Sequence, residues 1–306
     1  MERMGERGRW VWPVVALAAV LVVAGIGITL TAGRQGPAAS THSPTAVPTP
    51  TPTHVRTPTP TPTPTADGLP ANTGTYDVTT LPQVNVFAVI PALPVDDDPF
   101  TVPTAESAVA RGVGAPVWAD PTGEPVAYVP HEYPYGGTVL PVIEKQAHWV
   151  KVLLTGRQAV PSAGNASQLT GWLRTADVDL APRSFSVEVS IAGRTIDIVH
   201  ADGSHERIAT DFAWGTERTP TPVGRTFVMT TRTVPEYAYT RGYPIVYWAV
   251  QSPTLDGFDG ADVAPAAFHY HDNRSGPLSN GCIRVDPDAI TQLATLPPGT
   301  PVMITP

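Results

Sequence analysis

The sequence predicts a mainly β protein with one short helix, carried behind an apolar N-terminal segment and a proline-rich stretch. Three observations predict it. Short apolar runs broken by Pro and Gly fill the region from Val84 to Leu180. From Phe185 to Ile191 apolar and polar residues alternate strictly, the mark of a strand with one buried face. Only the segment after Asp286 has both a helix start signal and a stop.

The chain opens with three arginines, Arg3, Arg7 and Arg9, and then runs from Trp10 to Ala32 without a charge. About 20 apolar residues span a bilayer as a helix. The preceding arginines keep residues 1–9 in the cytoplasm and send the rest outward. A signal peptide has a shorter apolar core of about 7–15 residues. Leu30-Thr31-Ala32 is also a poor cleavage site, so the expectation is an uncleaved anchor over 10–32. Cleavage there would instead make the protein secreted. No cysteine follows the apolar run, which excludes a lipoprotein. Residues 33–76 hold repeated Thr-Pro pairs, such as Thr57-Pro58-Thr59-Pro60. Proline fixes φ and lacks an N–H, so the stretch reads as an extended, disordered spacer without helix or sheet. At about 3.1 Å per residue it reaches on the order of 120 Å. The formal net charge of −8 excludes the basic stripe that nucleic-acid binding needs.

Residues 77–182 read as a β-rich accessory domain. Its strands include Ala115-Pro116-Val117-Trp118-Ala119, Thr138-Val139-Leu140-Pro141-Val142, Trp149-Val150-Lys151-Val152-Leu153 and Thr170-Gly171-Trp172-Leu173. About five short strands in this length make a small barrel. The Pro-Thr-Gly turn at 121–123 and the order of the strands after it resemble the bacterial SH3-like modules of cell-wall proteins, over Ala115 to Val178. A generic β-rich accessory domain is the alternative. Trp118, Trp149 and Trp172 read as core residues, since large aromatics are mostly buried.

Residues 183–306 form the second piece. The strand at 185–191 and a second at Thr195-Ile196-Asp197-Ile198-Val199 make a hairpin around Ala192-Gly193-Arg194. A polar turn leads to Ala209–Gly215. In Thr219-Pro220-Thr221-Pro222 two prolines two apart forbid helix, and Gly224 turns the chain into the next strand. Tyr243 to Val250 and Ala266 to His271 are further strands. Alternation along the latter puts His269 and His271 on one face and Phe268 and Tyr270 on the other. Asp286 caps a helix with Pro287 at its first position, continuing from Ala289 to Leu296. Pro297-Pro298-Gly299 stops it, and Val302-Met303-Ile304 is the last strand.

Cys282 is the only cysteine in 306 residues. Outside the membrane it has no intramolecular disulfide partner, and a free thiol there is a liability unless it does something. A buried structural cysteine is the plain alternative, but Ser279, Asn280 and Gly281 before it are turn residues. A thiolate is the nucleophile in cysteine catalysis, and an imidazole can generate it. His269 lies 13 positions upstream and His271 lies 11, close enough to meet the cysteine across a turn. The backbone N–H groups around Asn280, Gly281 and Cys282 can form an oxyanion hole. Arg284 can hold a substrate carboxylate or pair at the surface with Asp286 or Asp288.

Ser279-Asn280-Gly281-Cys282-Ile283-Arg284, with an upstream histidine, an Asp-capped helix and a closing Gly-Thr-Pro-Val strand, resembles the L,D-transpeptidase (YkuD-like) catalytic domain. Thr221-Pro222-Val223-Gly224 also looks like that family's turn before a strand. The resemblance covers 183–306 and implies a β-sandwich or barrel-like catalytic domain. It implies a peptidoglycan enzyme whose cysteine attacks the third residue of a donor tetrapeptide stem and releases D-alanine. An amine of a neighbouring stem, or of a protein, then resolves the thioester. Carbapenems are implied as covalent inhibitors, and no cofactor or metal is. Cys282 matches the nucleophile, Ser279 and Gly281 the turn, and Arg284 the arginine of the motif. Asn280 stands where the family often has histidine, which leaves a hydrogen-bonding role and removes a titrating one. His269 keeps the histidine-to-cysteine spacing better, while His271 remains the alternative base.

Sortases need a Thr-Leu-x-Thr-Cys strand, absent here, and papain-like and NlpC-type peptidases need a histidine after the cysteine. A zinc site of His269, His271 and Cys282 lacks a fourth ligand. The remaining alternatives are an L,D-carboxypeptidase, with water in place of the amine, and a non-catalytic cell-wall-binding protein. An acidic, alkylation-reactive Cys282 would favour catalysis, and an inert one the binding protein.

Overall fold

The accessory segment builds an antiparallel sheet in the order β6-β5-β4-β1-β7. Its members are β1 (Glu106–Ala110), β4 (Val139–Lys145), β5 (Trp149–Leu154), β6 (Leu169–Arg174) and β7 (Val178–Pro182). A hairpin of β2 (Gly114–Val117) and β3 (Ala127–Pro130) joins this sheet through a bridge between Trp118 and Trp172. The computed structural model describes residues 68–306 except 259. The expected cytoplasmic tail, membrane anchor and most of the proline-rich spacer lie outside the described residues. Among the described residues no helix is long and apolar enough to cross a membrane. Residues 68–76, read from sequence as part of the spacer, pack on the tryptophans. Trp149 Nε1 donates to Pro70 O at 2.9 Å, and the Tyr76 ring stands edge-on to Trp118. Trp118 and Trp149 are fully buried, whereas Trp172 is half-buried.

The second segment builds a ten-stranded sheet in the order β10-β9-β8-β17-β12-β13-β14-β16-β11-β15. Its strands are β8 (Phe185–Ser190), β9 (Thr195–His200), β10 (His205–Ala209), β11 (Ala213–Gly215), β12 (Gly224–Arg232), β13 (Ile245–Gln251), β14 (Pro265–Tyr270), β15 (Gly276–Ser279), β16 (Ile283–Val285) and β17 (Pro301–Thr305). The expected hairpin is β8 and β9. The expected last strand is β17, lying parallel to β8 and antiparallel to β12 near the sheet's centre. β10 was read as a polar turn, because its first three residues are exposed and show no apolar period. The helix α1 (Pro287–Leu293) has its Asp286 cap, which accepts from Ala289 N at 2.8 Å. It ends at Leu293, a turn earlier than the reading to Leu296. α1 contacts both β10 and β13–β14, strands far apart in sheet order, so the sheet curls over to enclose it. Ile290 and Leu293 are buried there with Trp248, Phe268, Ile283 and Val302.

The accessory segment is seated on the other face of β12 and β13. Phe227 and Ala249 are buried in the accessory core with Leu93, Leu153 and Leu169. Polar groups lock this contact. Arg225 grips Asp96 bidentately at 2.7 and 2.8 Å, with both side chains almost wholly buried. Gln251 donates to Val86 O at 2.7 Å, and Thr226 to Gln168 Oε1 at 2.8 Å. Arg157 donates to the carbonyls of Asp256 and Asp262 at 2.9 and 2.8 Å, which pins the loop between β13 and β14.

Candidate active site

The turn that carries Cys282 is held by short parallel strands. β15 pairs with β11, and β16 pairs with β14, leaving Asn280-Gly281-Cys282 as the bend between them. Ser279 is buried and ties the bend together. Its Oγ donates to Cys282 O at 2.5 Å and accepts from Gly281 N at 3.1 Å. Gly281 has φ +111°, a value that L side chains rarely adopt. The proline-rich run before β12 buttresses the bend from outside. Ser279 O accepts from Thr216 N and Thr219 Oγ1, and Thr221 Oγ1 accepts from Gly215 N at 2.9 Å. A Cβ on Gly215 would lie 2.2 Å from Thr219 O, so only glycine fits there. The Gly281 amide is therefore engaged by the Ser279 hydroxyl.

Register places the other groups. In the β14–β16 ladder Phe268 pairs with Ile283 and His269 with Arg284. Paired residues point to one face, so Phe268 and Ile283 enter the core while Ala267, His269, Cys282 and Arg284 share the opposite face. β13 adds Ile245 opposite His269 and Tyr247 opposite Ala267. β14 ends at Tyr270, so His271 sits just beyond the strand, but its ring centroid is still 6.3 Å from that of His269. All six of the residues Cys282, His269, His271, Arg284, Ser279 and Asn280 line one cleft of about 570 Å³. Gly281 provides the bend that delivers Cys282 to it.

The two imidazoles are set up differently by their backbone partners. His269 is buried, and its Nδ1 lies 2.8 Å from Tyr270 O, an acceptor. Its ring proton is therefore on Nδ1, and Nε2 keeps a lone pair. His271 Nδ1 accepts from Asn273 N at 2.9 Å, so the neutral ring carries its proton on Nε2. Burial pushes His269 down to about 4, with Arg284 and His271 adding to the fall and the Tyr270 carbonyl opposing it. Desolvation also lowers His271, with Arg284 contributing.

Cys282 is half-buried. Desolvation pushes its thiol up to about 11, while the Ala267 backbone and the Arg284 charge offset part of that rise. The shift is opposite to the acidic thiol that the catalytic reading led one to expect. Both members of the pair are thus uncharged at neutral pH. Arg284 is half-buried, and among the described residues it has no carboxylate partner. Asp286, its expected surface partner, is occupied by the helix cap. Arg284 Nε is buried without a hydrogen bond, and the remaining contact is a long one of 3.4 Å from Nη1 to Asn273 O.

Several lining residues were not singled out from sequence. Tyr247 is half-buried in the cleft floor, and burial, then Tyr237, Tyr239 and Cys282, raise its phenol well above the ordinary range. Strand alternation alone would have placed Tyr247 on the cleft face. Phe87 and Tyr135 line the cleft from the accessory segment, almost 200 and 150 positions before Cys282, and no local pattern announces them.

Residues 184–304 match the family model described as YkuD, the L,D-transpeptidase catalytic domain. No curated protein matches the chain. Among solved structures, the chain is similar to an L,D-transpeptidase from Stackebrandtia nassauensis at 17% identity and a TM-score of 0.30, covering 41% of this chain and 57% of that one. An L,D-transpeptidase from Mycobacterium smegmatis matches at 15% identity and a TM-score of 0.31, covering 52% and 92%. A third, solved in complex with imipenem, matches at 18% identity and a TM-score of 0.31, covering 56% and 96%. Ser279, Asn280, Gly281 and Cys282 fall inside the matched segment. The match to the family model of YkuD, the L,D-transpeptidase catalytic domain, is carried by residues 184–304 of this chain.

Proposed function

We propose that the protein is a cysteine acyltransferase that uses Cys282 to move a peptidoglycan stem peptide onto an acceptor amine, with His269 as the base. The observation that carries this reading is the shared cleft face of Cys282, His269 and Arg284, set by the β14–β16 register. His269 supports the base role better than His271, because only its neutral ring keeps Nε2 unprotonated. The Nε2 lone pair takes the thiol proton as sulfur attacks the carbonyl of the third stem residue. The bond to the terminal D-alanine then breaks, and the imidazolium returns the proton to the leaving amine. The resulting thioester is attacked by an acceptor amine, whose proton passes through Nε2 to restore the thiol. With the Gly281 amide taken by Ser279, the amides at 280 and 282 are the turn's donors assigned to the oxyanion in both halves. Arg284, unpaired by any carboxylate, supports a role in holding a substrate carboxylate.

We place this domain outside the cell, anchored by residues 10–32 and spaced from the membrane by the Thr-Pro-rich stretch before residue 68, with residues 77–182 as an SH3-like accessory module. This rests on the arginine-led apolar run and the Thr-Pro repeats. Membrane fractionation of the full chain, before and after deletion of 10–32, checks it: the full chain is expected in the membrane pellet and the deletion in the soluble fraction.

The central test is mass spectrometry of the full chain with a donor tetrapeptide. A thioester adduct on Cys282 and release of D-alanine are expected, and Cys282→Ala should show neither. Unchanged turnover in that variant would remove the assignment. A carbapenem should add to the same sulfur. Transfer to an amine rather than to water distinguishes the transpeptidase from the carboxypeptidase.

A further inference from the structure

The cleft is bounded by two different segments of the chain. Cys282 and Arg284 stand on β16 at one side, and β13 and β14 form the floor. The opposite side is β12 with the accessory segment laid over it. Register aligns four residues in one row across the sheet: Arg232 opposite Ile245, Ile245 opposite His269, and His269 opposite Arg284. Three strand spacings of about 4.8 Å separate the two arginines by on the order of 14 Å. Among the described lining residues these are the only formal charges, and no Asp or Glu joins them, although the chain carries a net charge of −8.

Arg232 is held in a distinct setting. Its Nη2 donates to Pro134 O, and its guanidinium lies 4.7 Å from the centroid of the Tyr135 ring. Tyr135 in turn meets Phe87 edge-on at 5.0 Å. Both rings remain about half exposed, at 42% and 47%. Among the described residues Arg232 has no carboxylate partner, and Nε and Nη1 make no hydrogen bond. A planar cation fixed on an aromatic face with donors to spare is a carboxylate site with an apolar flank.

We propose that Arg232, with Tyr135 and Phe87 of the accessory segment, forms a second carboxylate-binding site that holds the amine-bearing acceptor chain by a free carboxylate. The proposal rests on the acyl-transfer reading above. Arg284 beside the nucleophile serves the donor, and Arg232 across the floor serves the acceptor. The accessory segment thereby supplies part of the acceptor specificity, a role that no residue of the matched family segment performs alone.

The test compares Nα-acetyl-lysine with its carboxamide as acceptors for the full chain loaded with a donor tetrapeptide. The wild type is expected to prefer the carboxylate by about tenfold or more in acceptor kcat/KM, the effect of a hydrogen-bonded charge. Arg232→Gln should bring that ratio to near one, and Arg232→Lys should restore part of it. If Arg232 only tethers residue 134, both acceptors weaken equally and the ratio survives, which overturns the proposal. Should the wild type form no thioester at Cys282, the acyl-transfer reading fails. The subsite is then judged by calorimetry of the same two compounds on full-chain Cys282→Ala, with and without Arg232→Gln. A carboxylate preference that depends on Arg232 supports it there, and no preference overturns it.

Discussion

His269 and His271 are two residues apart, yet each ring is committed to a different tautomer by the main chain. A carbonyl fixes the proton of one on Nδ1, and an amide forces the proton of the other onto Nε2. His269→Gln should therefore abolish acylation of Cys282, while His271→Gln should retain measurable acylation; the reverse pattern in a thioester assay would exchange their roles. The raised thiol and lowered imidazole make a second expectation. Alkylation of free Cys282 by iodoacetamide should keep rising with pH through 9 and beyond, because the midpoint lies near 11. A plateau reached near neutral pH would show a standing thiolate–imidazolium pair instead. Burial of neutral His269 also links stability to pH. Its pKa falls from 6.5 to about 4 on folding, so the unfolded chain binds the extra proton between those values. Stability is complete above about pH 6.5 and falls by about 3 kcal/mol as pH drops to 4. Urea denaturation at both pH values, compared with His269→Gln, isolates that contribution: the variant should lose less stability on acidification.

At the scale of elements, the turn that carries Cys282 depends on side chains as much as on strands. Ser279 satisfies the Gly281 amide and grips Cys282 O with one hydroxyl. Ser279→Ala leaves a buried N–H unpaired, which costs about 1–3 kcal/mol. The same change frees the carbonyl that orients Cys282, so the acylation rate should fall along with the melting temperature. A melting temperature that drops while acylation stays at the wild-type rate would show that the bend is held by its flanking strands alone. Glycine at 215 is set by close approach to Thr219 O rather than by φ.

Across the whole molecule, the two segments of the described chain share core and cleft. The Arg225–Asp96 pair is buried between them. Removing one partner of such a pair strands a charge, so Arg225→Met should destabilise the protein by about 3–5 kcal/mol. Adding Asp96→Leu should recover much of that loss, since a paired replacement leaves no orphan charge. Chemical denaturation of the two single variants and the double variant reads the coupling, and simple additivity would mean the pair does not act as a unit. Arg157 acts similarly on the loop between β13 and β14, whose Phe258 and Val263 close one end of the cleft.

Local rules carried far in this chain. Period-two alternation located the β8–β9 hairpin and put His269 on the face opposite Phe268. Cap and stop residues located α1, and the turn residues before Cys282 marked the bend that carries it. These features depend on neighbours within a few positions, so the sequence by itself determined them, as it did the resemblance of residues 183–306 to a transpeptidase domain. The register of β16 against β14, the different backbone partners of the two histidines, the burial around the thiol and the accessory wall of the cleft were decided only by the tertiary structure. Each depends on which distant backbone groups meet and on how much water their meeting excludes. Desolvation, the main cause of the shifts at Cys282 and His269, does not exist until the chain has packed.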